Sequence, residues 1–251
     1  MSEETVYGIH AVRALLERRP AAVRRIQLQS GRSDQRIQGL VELARRHGVA
    51  LETRPAAELD TLAGQQLHQG VVARVEAAVP LAEDELLIRL DATGRAPLVL
   101  VLDGVQDPHN LGACLRSADA AGADAVVVPR DRAVGLTPVV RKVAAGAAET
   151  TPFVQVTNLA RFLRALKEQS IWIVGTDGEA DTLHYAADLT GPLALVLGAE
   201  GSGMRRLTRE HCDLVVRLPM MGAVASLNVS VATGIVLFEA LRQRSAAPPS
   251  R

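Results

Sequence analysis

The chain has 251 residues, of which 48% are hydrophobic and 2% aromatic, and its 28 basic residues balance 28 acidic ones. This length suits one or two domains, with a core built mainly from Val, Leu, Ile and Ala. The balanced charge excludes a strongly basic nucleic-acid coat, although a local cluster of arginines can still bind RNA. Cys114 and Cys212 lie far apart and outside any metal-ligand spacing, so we expect neither a disulfide nor a metal site.

Features of the sequence also suggest the cellular compartment of the protein. The sequence contains no apolar run long enough to span a bilayer, and its first residues do not resemble a signal peptide. Free cysteines suit a reducing environment. We therefore expect a soluble, cytoplasmic protein with no membrane partner.

Residues 1–76 have the pattern of a small α/β domain. Apolar spacing predicts two helices and two strands, at His10–Glu17, Val23–Leu28, Gln35–His47 and Gly70–Val75. Residues 77–96 mix charges with Pro80 and Gly94, which predicts a linker carrying a short helix near residues 83–90.

Residues 97–251 alternate between strand and helix. The predicted strands are Leu98–Leu102, Ala125–Val128, Phe153–Val156, Ile171–Val174, Leu193–Leu197 and Leu214–Leu218. The predicted helices are Leu111–Ala121, Pro138–Ala148, Leu159–Glu168 and Asn228–Arg242, the first closed by Gly122 as a C-cap. Apolar strands that alternate with helices indicate an α/β domain with a parallel sheet covered on both faces.

Three segments that follow predicted strands carry polar residues and glycines in apolar surroundings. In chain order the residues concerned are Asn110 and Arg116, then Gly198, Glu200, Gly201 and Gly203, and finally Pro219, Ser226, Leu227, Asn228 and Ser230. Buried polar groups cost free energy unless they are hydrogen-bonded, so such residues often serve binding or chemistry.

Each segment also has a plainer interpretation. Asn110, Ser226 or Asn228 can simply cap a helix, and Arg116 can be a solvated helix residue. The glycines can form an ordinary turn. They do not form a dinucleotide fingerprint, because the spacing Gly-x-x-Gly-x-Gly differs from Gly-x-Gly-x-x-Gly and follows a late strand.

Taken together and in order, the three segments resemble the three motifs of the SpoU/TrmH family of RNA ribose 2′-O-methyltransferases, within the SPOUT superfamily. The resemblance covers residues from about Pro97 to Arg244. The opening Tyr7-Gly-Ile-His-Ala-Val and the later His68-Gln-Gly-Val-Val-Ala-Arg-Val are similar to the N-terminal domain of one branch. That branch methylates a guanosine of bacterial 23S ribosomal RNA.

The resemblance implies a fold and an assembly that periodicity alone does not reach. It implies a deep trefoil knot in residues 97–251 and a homodimer formed through that domain. It also implies an L30-like domain at residues 1–76 that binds the RNA substrate, with arginines on its surface as the candidate contacts: Arg13, Arg18, Arg19, Arg24 and Arg25.

The resemblance also implies S-adenosylmethionine as the cofactor and no metal. The main chain of Gly198, Leu218 and Leu227 would hold the adenosyl part, with Met220 beside it. The implied catalytic set is Asn110, Arg116, Glu200, Ser226 and Asn228. An arginine keeps its proton up to about pH 12, so we expect Arg116 to clamp phosphate and stabilise negative charge rather than to act as a base. Glu200 could orient either Arg116 or Asn110.

The sequence therefore predicts a methyltransferase that modifies the ribose 2′-hydroxyl of a 23S rRNA nucleotide. The first alternative is a non-catalytic RNA-binding protein that kept the fold, and a weaker one is a nucleotide-dependent oxidoreductase. With 2% aromatic residues, an aromatic platform for stacking bases is not expected.

Overall fold

The computed structural model describes residues 3–76, 81–201 and 203–246. These residues divide into two compact units. The first is drawn from residues 1–79 and 136–150, and the second from residues 80–135 and 151–251. Within the described ranges, no helix is both long and apolar enough to cross a membrane.

The first unit is a four-stranded sheet with helices. Its elements up to residue 76 are β1 (Glu3–Tyr7), α1 (Ile9–Arg18), β2 (Val23–Gln29), α2 (Gln35–Arg46), β3 (Ala50–Arg54), α3 (Ala56–Leu62) and β4 (Val71–Glu76). The strand order is β1-β4-β2-β3, in which only the β2–β3 pair is parallel. Leu15, Leu40 and Ile26 are fully buried where α1 and α2 pack on the sheet.

The region of the predicted helix Pro138–Ala148 differs from the expectation. It contains two short helices, α6 (Pro138–Ala144) and α7 (Ala147–Thr150), because Ala145 and Gly146 adopt left-handed φ angles of 52° and 103°. A Cβ atom on Gly146 would lie 2.7 Å from the Cβ atom of Ala14, so glycine permits the close approach to α1.

An ion-pair network ties this segment into the first unit. Arg141 pairs with Glu149, whose side chain is only 3% exposed, and with Glu4 at 3.0 Å. No local sequence pattern indicates that residues 136–150 pack with β1 and α1, since these contacts join positions more than a hundred residues apart.

The second unit contains a seven-stranded sheet. Its strands are β5 (Leu98–Asp103), β6 (Ala125–Pro129), β7 (Phe153–Val156), β8 (Trp172–Thr176), β9 (Thr182–Leu183), β10 (Leu193–Gly198) and β11 (Leu214–Arg217). Their order is β7-β6-β5-β10-β8-β11-β9, and every pair is parallel. Its helices are α4 (Glu83–Asp91), α5 (Pro108–Ala120), α8 (Leu159–Glu168), α9 (Arg206–Glu210) and α10 (Val229–Ala246).

Helices cover both faces of this sheet, so the predicted α/β class is confirmed. On one face α5 packs against α10, where the Cys114 thiol lies 3.4 Å from the Thr233 hydroxyl. On the other face Leu86 of α4 and Phe162 of α8 share a cluster with Val99 and Val154 of the strands. The predicted short helix near residues 83–90 is therefore part of this core, while residues 77–80 of the predicted linker lie outside the described residues. The trefoil knot stays a prediction.

Parallel strands place the three motif segments at one edge of the sheet. Asp103 at the end of β5 pairs with Gly198 at the end of β10, and β11 ends on the same side. The helix that follows the third segment is fixed at its far end, where Arg244 donates hydrogen bonds to the carbonyls of Pro97 (3.0 Å) and Gly191 (2.6 Å). The carboxyl edge is where open α/β sheets bind their ligands.

Candidate functional site

The first motif segment begins α5. Asp107 is its N-cap and accepts a hydrogen bond of 2.6 Å from the His109 amide, and Pro108 takes the first helical position, as proline often does. The helix therefore starts three residues before the predicted Leu111. The capping role suggested for Asn110 is wrong, because Asp107 is the N-cap and Asn110 lies inside the first turn of the helix.

The second motif segment is a tight loop after β10. Ala199 and Gly203 exchange backbone hydrogen bonds of 3.2 and 2.9 Å, and Gly201 and Gly203 have left-handed φ angles of 79° and 64°. A Cβ atom on Gly198 would lie 2.0 Å from the carbonyl carbon of Gly203. Glycine at position 198 is thus required for the loop to close and to present Glu200.

Glu200 brings the three segments together. Its Oε1 atom accepts hydrogen bonds from Asn110 Nδ2 (3.1 Å), from the Val229 amide (3.2 Å) and from Asn228 Nδ2. Asn228 Nδ2 also lies 3.0 Å from Asn110 Oδ1. Of the two partners considered for Glu200, the structure has Asn110 and not Arg116.

Asn228 confirms the capping interpretation of the third segment and also contacts the other two motif segments. Its Oδ1 atom accepts hydrogen bonds from the Ser230 amide (2.9 Å) and the Ser230 hydroxyl (2.6 Å), so it caps α10. Its amide nitrogen at the same time joins the Glu200 cluster. Ser230 was not among the predicted site residues, although its place in the polar run was a signal for it.

A cleft of about 380 Å³ opens beside this cluster. Its walls come from the ends of β5 and β10 and the loop after β6, and its lining residues include Gly104, Gln106, Asp107, Asn110, Arg132, Glu200 and Arg205. At its base the buried carboxylate of Asp103 accepts hydrogen bonds from Arg205, at 2.8 Å from the amide and 2.6 Å from Nε. Sequence reasoning missed this pair; the signal was an acid directly after a continuous apolar strand.

The loop between β11 and α10 has a different character. Leu218, Met220 and Leu227 are half-buried, whereas Met221 is 96% exposed and Ser226 is exposed. Within the described residues, the backbone of residues 218–227 makes no hydrogen bond. Free amides and carbonyls beside apolar side chains fit an adenosyl group, whose base edge offers donors and acceptors and whose faces are apolar.

The Glu200 cluster does not include Arg116 or Ser226. Arg116 is exposed on α5 and does not line the cleft, and in the part of the chain that the structure describes it forms no hydrogen bond or ion pair. Its guanidinium is thus available to an anionic ligand. Ser226 likewise has no partner among the described residues.

The two cysteines are poorly suited to act as nucleophiles. Burial raises the pKa of Cys114 to about 11, and the negative charge of Glu200 adds to that rise. Burial also raises the pKa of Cys212, to about 12. Both thiols therefore stay protonated and unreactive near neutral pH. Across residues 3–76, 81–201 and 203–246 there is no cluster of three or more His, Cys, Asp and Glu that could hold a metal ion.

Comparison with known proteins gives the same family as the motifs. Residues 97–238 match the SpoU rRNA Methylase family, and residues 5–80 match the family described as RNA 2′-O ribose methyltransferase substrate binding. The chain is 58% identical over 243 residues to the 23S rRNA (guanosine-2′-O-)-methyltransferase RlmB of Pseudomonas syringae pv. tomato, covering 97% of each chain. It is 54% identical over 242 residues to the protein of that name from Escherichia coli, covering 96% of this chain and 99% of the other.

Solved structures agree with the sequence comparisons. The SpoU methyltransferase AviRb from Streptomyces viridochromogenes, in complex with the cofactor AdoMet, matches with a TM-score of 0.79 and 26% identity, covering 98% of this chain and 92% of AviRb. The family predicted from the three motifs is thereby confirmed. The chain belongs to the SpoU rRNA methylase family.

Proposed function

We propose that the protein transfers a methyl group from S-adenosylmethionine to the ribose 2′-hydroxyl of a guanosine in 23S ribosomal RNA. The observation that carries this proposal is the meeting of Asn110, Glu200 and Asn228 at the carboxyl edge of the sheet, beside a loop with unpaired backbone groups. Relatives at 54% and 58% identity bear the name of this activity. A protein that had lost catalysis would have no need to keep this cluster.

The cofactor is assigned to the loop after β11. The main chain of Leu218 and Leu227 would hold the adenosyl part, with Met220 against it and the tight loop at Gly198 beside it. When bound, S-adenosylmethionine supplies an electrophilic methyl group on a sulfonium. The protein's part is then to exclude water and to bring the hydroxyl in line with that methyl, which is a large source of rate.

The Glu200 cluster positions the nucleotide. A carboxylate that accepts three hydrogen bonds fixes the Asn110 and Asn228 amides, so their remaining hydrogen-bonding capacity points in fixed directions toward the substrate. Arg116, exposed and unpaired within the described chain, clamps an RNA phosphate and stabilises negative charge on the 2′-oxygen. Ser226 completes the substrate contacts. The hydroxyl proton leaves through phosphate, water or another acceptor, because arginine holds its own proton too tightly.

Residues 1–76 select the RNA in this proposal, while residues 97–251 perform the transfer. The match of residues 5–80 to a substrate-binding family supports this division. The predicted contacts are unequal, however, because Arg24 and Arg25 already pair with Glu76 (2.6 Å) and Glu52 (3.3 Å). Arg18 is exposed and has no ion-pair partner among the described residues, which makes it the better candidate.

The assembly we propose is a cytoplasmic, knotted homodimer. α10 buries one apolar face, yet on its opposite side Val231, Ile235 and Phe238 are 51%, 37% and 48% exposed. An exposed apolar stripe of this kind suits a partner surface, and a second copy of the chain supplies one. Light scattering should give a dimer for the wild type and a monomer for Phe238→Glu, whereas a monomeric wild type at micromolar concentration would reject the proposal.

The decisive experiment is methyl transfer to 23S rRNA fragments, followed by digestion and mass spectrometry of the nucleosides. We expect a 2′-O-methylguanosine at a single position. Methylation of a base, or transfer to no RNA while S-adenosylhomocysteine still binds, would reject the proposal. Binding of RNA without any affinity for S-adenosylhomocysteine would instead favour the non-catalytic alternative.

A further inference from the structure

Arg132 is a positively charged residue whose backbone adopts a conformation that favours glycine. It lies in the loop after β6 with a φ angle of 58°, and it lines the cleft that contains Asn110 and Glu200. A side chain in this left-handed region costs free energy that glycine avoids, and such costs are concentrated at functional sites. An arginine with this energetic cost, placed at the mouth of a cleft, indicates that the cleft binds a ligand.

The backbone holds Arg132 at this place. The Val134 amide donates a 3.0 Å hydrogen bond to the Val105 carbonyl, which ties the loop after β6 to the end of β5. A Cβ atom built on Gly104 would lie 3.8 Å from the Arg132 carbonyl oxygen and 3.7 Å from the Cβ atom of Ala199. The loops after β5, β6 and β10 therefore form one wall, and Arg132 is presented from it.

Three carboxylates and two guanidiniums line the cleft, so the pairing of these groups, and not their net charge, is what leaves a place for an anion at Arg132. Each of its acids is already occupied: Asp103 by Arg205, Asp107 by the His109 amide, and Glu200 by its three donors. Arg132 is exposed and, within the described residues, has neither an ion pair nor a hydrogen-bonded side chain. Its neighbour Asp131 lines a different cleft.

Arg205 gives the same cleft a second, oriented cation. Asp103 holds it through its amide, Nε and Nη2, which fixes the guanidinium and leaves Nη1 without a partner in the described chain. Arg205 is 43% exposed, so this edge can still reach a ligand. A guanidinium that is already oriented loses little conformational freedom when it binds phosphate.

We propose that Arg132 binds a backbone phosphate of the RNA at the nucleotide to be methylated, with Arg205 as a pre-oriented second contact. This inference rests on the proposed methylation of RNA. The ribose then lies toward Asn110 and Glu200, and the phosphate lies at the mouth of the cleft. Arg132 is a binding residue for the substrate and takes no part in holding the cofactor.

The test uses Arg132→Gly in the full-length protein, because this change removes the cation and also relieves the left-handed backbone. We expect an unchanged or higher Tm, an RNA Kd raised about tenfold, and a plot of log affinity against log salt whose slope is smaller by about one. Affinity for S-adenosylhomocysteine should not change. Arg132→Lys should recover part of the RNA affinity, since a cation is restored.

Ser170→Gly is the matched control. Ser170 belongs to the same unit and has a φ angle of 59°, yet it lies in the turn before β8, at the opposite end of the sheet. Its replacement by glycine should raise or preserve Tm in the same way, with wild-type RNA affinity and salt slope.

The outcomes separate the inference from the proposed function. If the wild type methylates RNA and Arg132→Gly keeps the wild-type RNA affinity and salt slope, the inference is overturned and the methyltransferase proposal stands. If Arg132→Gly loses affinity for S-adenosylhomocysteine instead, the anion at this site is the cofactor's carboxylate and the inference is again overturned. A wild type that binds RNA but never methylates it rejects the function, while the RNA affinities still decide the role of Arg132.

Discussion

Two loops at the same edge of the sheet differ in the number of hydrogen bonds within the protein that hold each loop in place. The loop after β10 is closed by a backbone pair between Ala199 and Gly203, and its Glu200 carboxylate is hydrogen-bonded to two other segments. The loop after β11 makes no backbone hydrogen bond over residues 218–227 within the described chain, and it exposes Met221 to 96%.

This difference indicates a division of labour. In the proposed function Glu200 orients the Asn110 and Asn228 amides, and a group with this role must be in place before the reaction begins, so a loop fixed by the fold suits it. A binding loop can leave its amides and carbonyls for the ligand, which then supplies the missing hydrogen bonds. Each of the following variants or measurements tests one side of this contrast.

The largest effect is expected from Gly198→Ala. The added Cβ atom would lie 2.0 Å from the Gly203 carbonyl carbon and 2.1 Å from the Met204 nitrogen, and backbone atoms cannot move aside as a flexible side chain can. The loop should open and carry Glu200 away, with methyl transfer lowered more than about 1,000-fold, or 4 kcal/mol in the barrier, and a lower Tm. Single-turnover kinetics and thermal unfolding measure the two effects.

Gly222→Ala is the control from the open loop, since a Cβ atom there meets nothing within 4 Å. It should keep the wild-type Tm. Gly198→Ala with near-normal turnover would show that the loop after β10 is adaptable, and the contrast between the loops would then be lost. The motif resemblance places the main chain of Gly198 in the cofactor site, and the structure adds a clash within the protein for any side chain at this position.

The next effect is expected from Glu200→Gln, which keeps the shape of the side chain and removes its charge. Asn110, Asn228 and Val229 all donate to Glu200 Oε1, and an amide oxygen can still accept these hydrogen bonds but without the negative charge that strengthens them. Hydrogen bonds to a charged group contribute about 1.5–3 kcal/mol, so kcat should fall about 100-fold while S-adenosylhomocysteine affinity stays within a few-fold.

Glu210→Gln makes the same chemical change on the exposed helix α9, where Arg206 is the one ion-pair partner of Glu210 among the residues that the structure describes. It should leave kcat at the wild-type value, because exposed pairs of this type contribute little. If Glu200→Gln reduced cofactor affinity as strongly as kcat, the fixed loop would have to be counted as part of the cofactor site.

Much of the fold follows from the sequence because the strands of the second unit are continuous apolar runs. Strands β1, β3 and β9 were not predicted, since Glu3 and Glu4 begin the first, Glu52 and Arg54 interrupt the second, and the third has only two residues. The site is a mixed case. Asn110, Glu200 and Asn228 were predicted together from the motifs, and parallel strands do bring them to one edge.

What sequence reasoning missed depends on contacts between distant positions. The Asp103–Arg205 pair joins residues 102 positions apart, and a local pattern carries no information on such a pair. The break between α6 and α7 at Ala145 and Gly146 likewise depends on the close approach of α1. The surrounding sequence on its own predicts one continuous helix.

Hydrogen exchange tests the open loop directly, with a smaller effect. In the free protein, the amides of residues 218–227 should exchange rapidly because they have no intramolecular acceptor, while those of Ala199 and Gly203 are already protected. Saturating S-adenosylhomocysteine should slow exchange in the first group by about tenfold or more and leave the second nearly unchanged. Equal protection of both loops in the free protein would contradict the contrast.

The smallest effect is expected from Ser230→Ala. The Ser230 hydroxyl donates a 2.6 Å hydrogen bond to Asn228 Oδ1, and its amide donates another of 2.9 Å to the same atom. Alanine removes the first bond and keeps the second, so the Asn228 amide should lose part of its orientation but stay near Glu200. One neutral hydrogen bond is worth about 0.5–1.5 kcal/mol, which predicts a fall in kcat of about three- to tenfold.

Ser245→Ala is the control and should show no change, because Ser245 is exposed on the same helix and has no hydrogen-bonded partner in the described chain. Full activity in Ser230→Ala would mean that the Glu200 cluster fixes Asn228 without help from the helix cap, and a loss beyond about 100-fold would mean that the hydroxyl itself contacts the substrate.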